Sequence, residues 1–311
     1  MVLGCGALNV DYLFAADSLV TDGETFCEPI GRQPGGSAAN TVFALAKLGL
    51  PSRFAGAVGS DEDGGLVLES LASAGIDAAG VVTRDGHGTG RVLCFVDKKG
   101  HRALYVSPGA NLTVTAIELQ SGITPGVFWV HCSSFAGDAP FAAQQSFVAG
   151  LAPEIRLSLA PGALYAARGF AALRPLLARC TVLFLTGPEL RTLTGETELA
   201  AGTRMLFGAG VETVAVTLGG EGSIVVTPSD QFHLPVLPVN VVDTTGAGDA
   251  FAAGFIFGCL HNWSPVDTQR FANVVASFSV ESWGARAGLP SLSEAKERYE
   301  KAYAALLPPV C

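Results

Sequence analysis

The chain has 311 residues, of which 49% are hydrophobic and 15% charged, and carries a formal net charge of −9. That length and apolar share suit one large α/β unit with a substantial core and exclude a disordered or coiled-coil chain. Five lysines and no basic block argue against nucleic acid as a partner. The longest apolar run, Ala250 to Leu260, is eleven residues, where a membrane-spanning helix needs roughly 20.

From the N-terminus, MVLGCGAL reads as a strand. It has no basic leader region and meets Asp11 early, so the chain is expected in the cytoplasm. GCGALN begins like a dinucleotide fingerprint but has Asn9 in place of the third glycine, which weakens a Rossmann cofactor site. SAANTVFALAKLGL then has helical spacing, SRFAGAVG returns as a strand, and EDGGLVLESLASAG as a helix. Further strands are predicted at GVFWVHC, IRLSLA, TVLFLT and ETVAVTLG, with GSIVVT and FHLPVL as an antiparallel edge. The alternation is that of a mainly parallel sheet covered by helices.

Two stretches break this rhythm. ETFCEPIGR and TGRVLCFVDKKGHRALYVSPGAN read as antiparallel strands without a covering helix, the second turning at Lys98-Lys99-Gly100. They predict a small β-sheet lid, with segments near 12–32 and 89–106 inserted in a single domain spanning 1–311. Arg91 and Arg102 on it either meet a phosphate or face solvent. Phe14, Phe26, Phe95 and Tyr105 either stack on a nucleobase or pack between the lids of a homodimer. The seven cysteines are scattered with no C-x-x-C spacing, so neither a zinc site nor a disulfide framework is expected.

The stretch VVDTTGAGDAFAAGFIFGCL, residues 241–260, carries the chemistry. No lysine follows a glycine, so a P-loop is absent. A helix N-terminus offers another anion site, through unpaired backbone N–H groups and roughly half a positive charge. Gly246, Ala247 and Gly248 would let a polyphosphate approach that backbone closely. Asp249 is then either a helix cap or a general base beside an anion hole.

DTTGAGDAF resembles the C-terminal signature of the ribokinase-like (PfkB) family of carbohydrate and nucleoside kinases. GRQPGGSAANTVFALAKLG resembles its N-terminal Gly-Gly signature, about 200 residues earlier, and TLGGEGS extends the similarity over most of the chain. The resemblance implies an α/β three-layer sandwich with a mainly parallel central sheet plus a β-sheet lid. It implies an ATP-dependent, Mg2+-requiring kinase for a hydroxymethyl group of a sugar, with a nucleoside kinase or a catalytically silent sugar- or nucleotide-binding protein as alternatives.

Carried over residue by residue, it makes Asp249 the base and Gly246, Ala247 and Gly248 the anion hole. Asp11, Gly35, Gly36 and Asn40 match acceptor-binding positions, although Asp11 also reads as a strand-end turn residue and the glycines as a helix entry. Thr217, Gly219, Gly222 and Asn273 match the nucleotide border. Glu189 is kept for Mg2+, while Thr186 departs from the Asn usual before it. Asp243, Thr245, Ser279, Ser282 and Gly284 match a site that holds a monovalent cation such as K+ in some relatives.

Overall fold

The computed structural model describes residues 1–99 and 101–310; Gly100, in the predicted lid turn, lies outside them. The chain opens with β1 (Val2–Cys5), passes into β2 (Asn9–Ala16) and returns along β3 (Cys27–Gly35). Helix α1 (Ser37–Lys47), β4 (Ser52–Gly59), α2 (Glu62–Ser73) and β5 (Asp77–Arg84) follow. Strands β6 (Gly90–Asp97) and β7 (Arg102–Ser107) lead through α3 (Ala116–Ser121) to β8 (Trp129–Ser133) and α4 (Asp138–Ala149). Then come β9 (Arg156–Ala160), α5 (Gly162–Ala166), α6 (Gly169–Leu177), β10 (Cys180–Thr186) and α7 (Gly187–Thr194). The last part holds α8 (Leu199–Gly208), β11 (Thr213–Thr217), β12 (Ser223–Val226), β13 (Gln231–Leu234), α9 (Ala247–Leu260), α10 (Pro265–Ser279) and α11 (Leu292–Tyr303).

Among the described residues, nine strands form one sheet in the order β13-β12-β11-β10-β9-β8-β1-β4-β5. Its neighbours are parallel except at β11–β12 and β12–β13, the predicted antiparallel edge. The chain winds outward from β1 to β5, then resumes at β8 on the other side of β1. The crevice beyond the carboxyl ends of strands at such a reversal is where open α/β sheets bind ligands.

The central strands read as largely apolar runs because both faces are covered. Leu3, Val130, Leu157, Leu183 and Val214 enter one core, and Val2, Trp129, Val182 and Ala215 the other. The second core holds α9, whose Phe251 and Phe255 meet Phe184 edge-on at 6.4 and 5.7 Å. A Cβ on Gly254 would lie 2.7 Å from Ala272 Cα, so the small residue lets α9 and α10 pack closely. Burial therefore fixes the axis of α9 and, with it, the position of its N-terminus.

A second sheet has the order β3-β2-β6-β7. It corrects the expectation of purely antiparallel strands: β2–β3 and β6–β7 are antiparallel, but the central pair β2–β6 is parallel. Strand β5, on the edge of the large sheet, was not among the predicted elements. Asn9 pairs with Gly90 and Asp11 with Val92, so Asp11, Leu13, Val92 and Cys94 share one face. Phe14, Phe95 and Tyr105 lie on the opposite face, where Phe14 stacks on Phe95 at 4.9 Å. These three rings therefore do not face Asp11 and pack on one another instead.

The lid is tied down at its base. Asp63 on α2 is 1% exposed and accepts from Tyr12 Oη at 2.8 Å, Arg32 Nη1 at 3.0 Å and Arg91 Nε at 2.7 Å. Asp61 caps α2 through Gly64 N and also accepts from Thr89 N, both at 2.9 Å. A buried carboxylate needs such pairing. Arg91 thus anchors the lid through Asp63 while its side chain stays exposed to solvent.

Candidate active site

Gly36 lies at the N-cap of α1 with φ +103°, a region that only glycine occupies freely, and a Cβ there would overlap the Ala7 carbonyl. A Cβ on Gly35 would overlap the Asp11 carboxylate. The Gly-Gly pair thus brings the chain out of the lid and into α1 while leaving room for Asp11. Ala38 N, in the first turn, donates to Ser133 Oγ at 3.0 Å, which docks α1 on the carboxyl end of β8.

Opposite stands the N-terminus of α9. Gly246, its N-cap, has φ +77°, and a Cβ there would lie 2.5 Å from Ala285 Cβ. Around Gly248 there is open space instead. The first-turn N–H groups of a helix have no partner within it, so a small-residue mouth of this shape can accept an anion.

Asp249 is the meeting point of the two helices. Its Oδ1 accepts from Ser37 Oγ at 2.7 Å and its Oδ2 from Asn40 Nδ2 at 2.9 Å. Thr41 Oγ1 donates to the Asp249 carbonyl at 3.3 Å. Burial pushes the Asp249 carboxyl up to about 6; the Ser37 and Asn40 hydrogen bonds and Arg286 pull it back, and Glu189 adds to the rise. Burial likewise lifts Asp11 to about 6, with Arg286 opposing and Asp249 reinforcing the shift. A carboxylate poised near neutrality is suited to taking a proton and releasing it again.

Arg286, which the sequence reading did not single out, closes the group. Its Nε donates to Asn40 Oδ1 at 2.9 Å, its Nη1 to Ser70 Oγ at 2.8 Å and its Nη2 to the Gly35 carbonyl at 3.4 Å. Its guanidinium carbon lies 5.1 Å above the Phe43 ring. Asn40, expected to grip an acceptor, is 5% exposed and has both ends of its amide bound to protein.

A model of the pfkB family of carbohydrate kinases matches residues 2–292. The chain belongs to this family. It is 33% identical over 248 residues to an uncharacterized sugar kinase of Archaeoglobus fulgidus, covering 80% of this chain and 98% of that one. It is 32% identical over 287 residues to an ATP-dependent ribose-1-phosphate kinase of Halopiger xanaduensis, covering 92% and 93%. Among solved structures, a Burkholderia thailandensis nucleoside kinase in complex with inosine has the same fold, with a TM-score of 0.86 over 98% of both chains at 18% identity. The protein is a sugar or nucleoside kinase, a phosphotransferase acting on hydroxyl groups.

The kinase holds its other predicted residues around the same end of the sheet. Thr186 and Thr217 are paired at the carboxyl ends of β10 and β11. Thr186 is the N-cap of α7 in a capping box: Glu189 N donates to its Oγ1 at 3.3 Å, and Thr186 N donates to Glu189 Oε2 at 2.8 Å. Thr replaces Asn here without loss of the cap, since both are good N-cap residues. Among the described residues, Glu189 Oε1 has no hydrogen-bond donor, so one carboxylate oxygen is available to a hydrated cation. Gly219 lies in a one-turn 3-10 helix after β11, and Gly222 adjoins β12 with its backbone against the Leu234 carbonyl.

Asn273, placed by resemblance at the nucleotide border, is buried and committed to protein. Its Oδ1 accepts from Ser223 Oγ at 2.9 Å and its Nδ2 donates to the Pro235 carbonyl at 3.2 Å. It ties α10 to the start of β12 and to the segment after β13. Asp243 is also engaged: Oδ1 accepts from Thr245 N at 2.9 Å and Thr245 Oγ1 at 2.8 Å, and Oδ2 from Gly284 N at 2.9 Å. Ser279 Oγ is turned into its own helix, donating to the Ala276 carbonyl at 2.9 Å. Ser282 lies in the loop after α10, between Ser279 and Gly284. Among the described residues no group of three His, Cys, Asp or Glu side chains is placed to hold a metal. Any monovalent ion here would rest on backbone carbonyls and the remaining lone pairs of Asp243.

Arg102 of the lid donates from Nη1 to Thr245 Oγ1 at 3.2 Å. The lid therefore reaches the loop that forms the mouth of α9. Among the described residues no helix is long and apolar enough to cross a membrane.

Proposed function

We propose that the kinase transfers the γ-phosphoryl group of ATP to a hydroxymethyl group of a sugar. The observation that carries this reading is Asp249, held by Ser37 and Asn40 in the first turn of α9, next to open space at Gly248. Asp249 takes the hydroxyl proton as the acceptor oxygen attacks the γ-phosphorus and the bond to ADP breaks. Asp11, on the inner face of the lid, orients the acceptor hydroxyls. The N–H groups at Gly246, Ala247 and Gly248 face the oxygens on which charge develops. Thr217, Gly219 and Gly222 border the nucleotide, with Asn273 behind them. Mg2+, held through water by Glu189, would supply charge neutralisation on the phosphates.

A nucleoside acceptor is the second reading, and one observation favours it. A recess of about 280 Å³ between the outer end of the lid and the loop after α10, lined by neither Asp11 nor Asp249, is flanked by Phe26 and Trp283, two exposed rings able to stack on a base that extends beyond the sugar. Coupled ADP release from ATP across ribose, fructose, 2-keto-3-deoxygluconate, adenosine, inosine and cytidine separates the two. Turnover with sugars supports the first reading and turnover confined to nucleosides supports the second, whereas none across a broad acceptor screen would overturn both. The outer lid face, where Leu93 and Tyr105 are exposed, is our proposed homodimer contact; Tyr105→Glu should then lower the mass seen by light scattering.

A further inference from the structure

We propose that Arg286 is a positioning residue for phosphoryl transfer, which acts on Asp249 through Asn40 by fixing the direction in which the Asn40 amide points. An Asn side chain can present its oxygen or its NH2 to a neighbour, and the two are nearly isosteric. Arginine removes the ambiguity because it has donors and no acceptor. The Nε–H of Arg286 lies 2.9 Å from Asn40 Oδ1, so the NH2 is turned to Asp249 Oδ2. The flipped amide would set N–H against N–H on one side and oxygen against carboxylate on the other. In a residue as buried as Asn40, neither mismatch is relieved by water.

The guanidinium is itself held in place. Ser70 of α2 and the Gly35 carbonyl accept from its two other nitrogens, and Phe43 of α1 lies against its face. Arg286 thereby joins the loop after α10 to the end of the lid strand β3 and to α1 and α2. Its charge faces both Asp11 and Asp249 and opposes the lift that burial gives each of them. Glu189, across the cleft, pushes Asp249 the other way. The residue thus has two separable effects on the base: a directional hydrogen-bond relay through Asn40 and a counter-charge.

The inference rests on the proposed role of Asp249 as base, so its test has one arm that does not depend on turnover. In protein labelled with 13C at the Asp carboxyl carbons, the Asp249 signal is assigned by its loss in Asp249→Asn. Its titration should move upward by about one pH unit in Arg286→Met and stay near wild type in Arg286→Lys, which keeps the charge. In the kinetic arm, Arg286→Met should lower kcat by roughly tenfold or more, with the acid limb of the pH profile displaced upward. Arg286→Lys should restore the limb but not the full kcat, because a Lys ammonium lacks the fixed fork that holds Asn40. A wild-type protein without kinase activity would remove the proposed function, while the carboxyl titration would still decide the effect of Arg286 on Asp249. An unchanged Asp249 titration in folded Arg286→Met overturns the proposal; if that variant does not fold, the same result in Arg286→Gln does so. A raised acceptor KM at full kcat also overturns it, since that would make Arg286 a binding group.

Discussion

Ser37 Oγ donates to Asp249 Oδ1 at 2.7 Å, linking the first residue of α1 to the third of α9. The two motifs, far apart in sequence, meet in this bond. If Asp249 takes the acceptor proton, Asp249→Asn should lower kcat by at least roughly 100-fold with the fold and ATP affinity kept. Ser37→Ala removes a bond that favours the ionised form, so its acid limb should move to higher pH. Turnover near wild type in folded Asp249→Asn would end the assignment of the base.

The raised carboxyls make a stability prediction with a definite sign. Asp11 and Asp249 titrate at about 6 in the folded protein and near 3.9 when unfolded. The folded state therefore binds more protons between those values, and stability falls as pH rises through that window. Below it the contribution is fully present; above about pH 6 it is lost. Activity should rise with pH over the range in which stability declines. Asp249→Asn should accordingly melt higher than wild type at pH 7.5, by about 2 °C or more, and the gap should close at pH 4. Thermal melts of both proteins at the two pH values decide this, and a gap that widens in acid would show the sign to be wrong.

Much of this arrangement is legible in the sequence because burial leaves a local record. Strands such as β8 and β10 are covered on both faces and read as largely apolar runs, interrupted by His131 in β8 and Thr181 in β10. By contrast, β5 carries DAAGVVTR at the edge of the sheet, with few large side chains to announce it. The parallel pairing of β2 with β6 joins Asn9 to Gly90, and no nearby pattern encodes a contact at that separation. Asp249 and its glycines form a contiguous motif and could be named in advance. Arg286 could not, because it follows the motif in a segment, GARAGLP, without helical or strand periodicity. Its partner Asn40 is reached only once β1, α1 and α9 have been packed together. Asn40 and Asn273 show the converse limit: residue type suggests a polar contact, but only packing decides whether ligand or protein receives it.

The glycines of the α9 mouth should differ in what they tolerate. Gly246 has a left-handed backbone and Ala285 at its Cβ position, so Gly246→Ala should destabilise the fold and lower the melting temperature. Gly248 has open space and no such backbone demand. Gly248→Val should therefore fold, with a melting temperature close to wild type, yet lose phosphoryl transfer more than acceptor binding, because the branched side chain fills the anion path. Wild-type kinetics in Gly248→Val would place the phosphates elsewhere.

The bond from Arg102 to Thr245 joins the lid to the loop before α9. If the segments at 24–32 and 89–106 close over the acceptor, their amide exchange should slow when acceptor is added. Arg102→Ala should weaken that protection and raise the acceptor KM by a few-fold, roughly the effect of one hydrogen bond. Exchange unchanged at saturating acceptor would mark the lid as a fixed interface.

Asp243 offers the last test, because its carboxylate clips Thr245 on one side and Gly284 on the other. The clip holds the residues just before Gly246 against the loop that carries Ala285, and so fixes the chain entering α9. Three accepted hydrogen bonds leave the carboxylate few lone pairs for an ion, but carbonyl oxygens of the surrounding loops could complete a site for a weakly hydrated cation. We expect K+ to raise activity over a bulky organic cation at constant Mg2+, since bracing the loop preorganises its N–H donors, an effect worth up to a few kcal/mol in other enzymes. Asp243→Ala should abolish that response and lower the melting temperature, whereas Asp243→Asn, which keeps one acceptor, should recover part of the stability. Loss of stability without any K+ response in the wild type would leave Asp243 as a turn clip alone, and the monovalent site would be withdrawn while the role of Asp249 stood untouched.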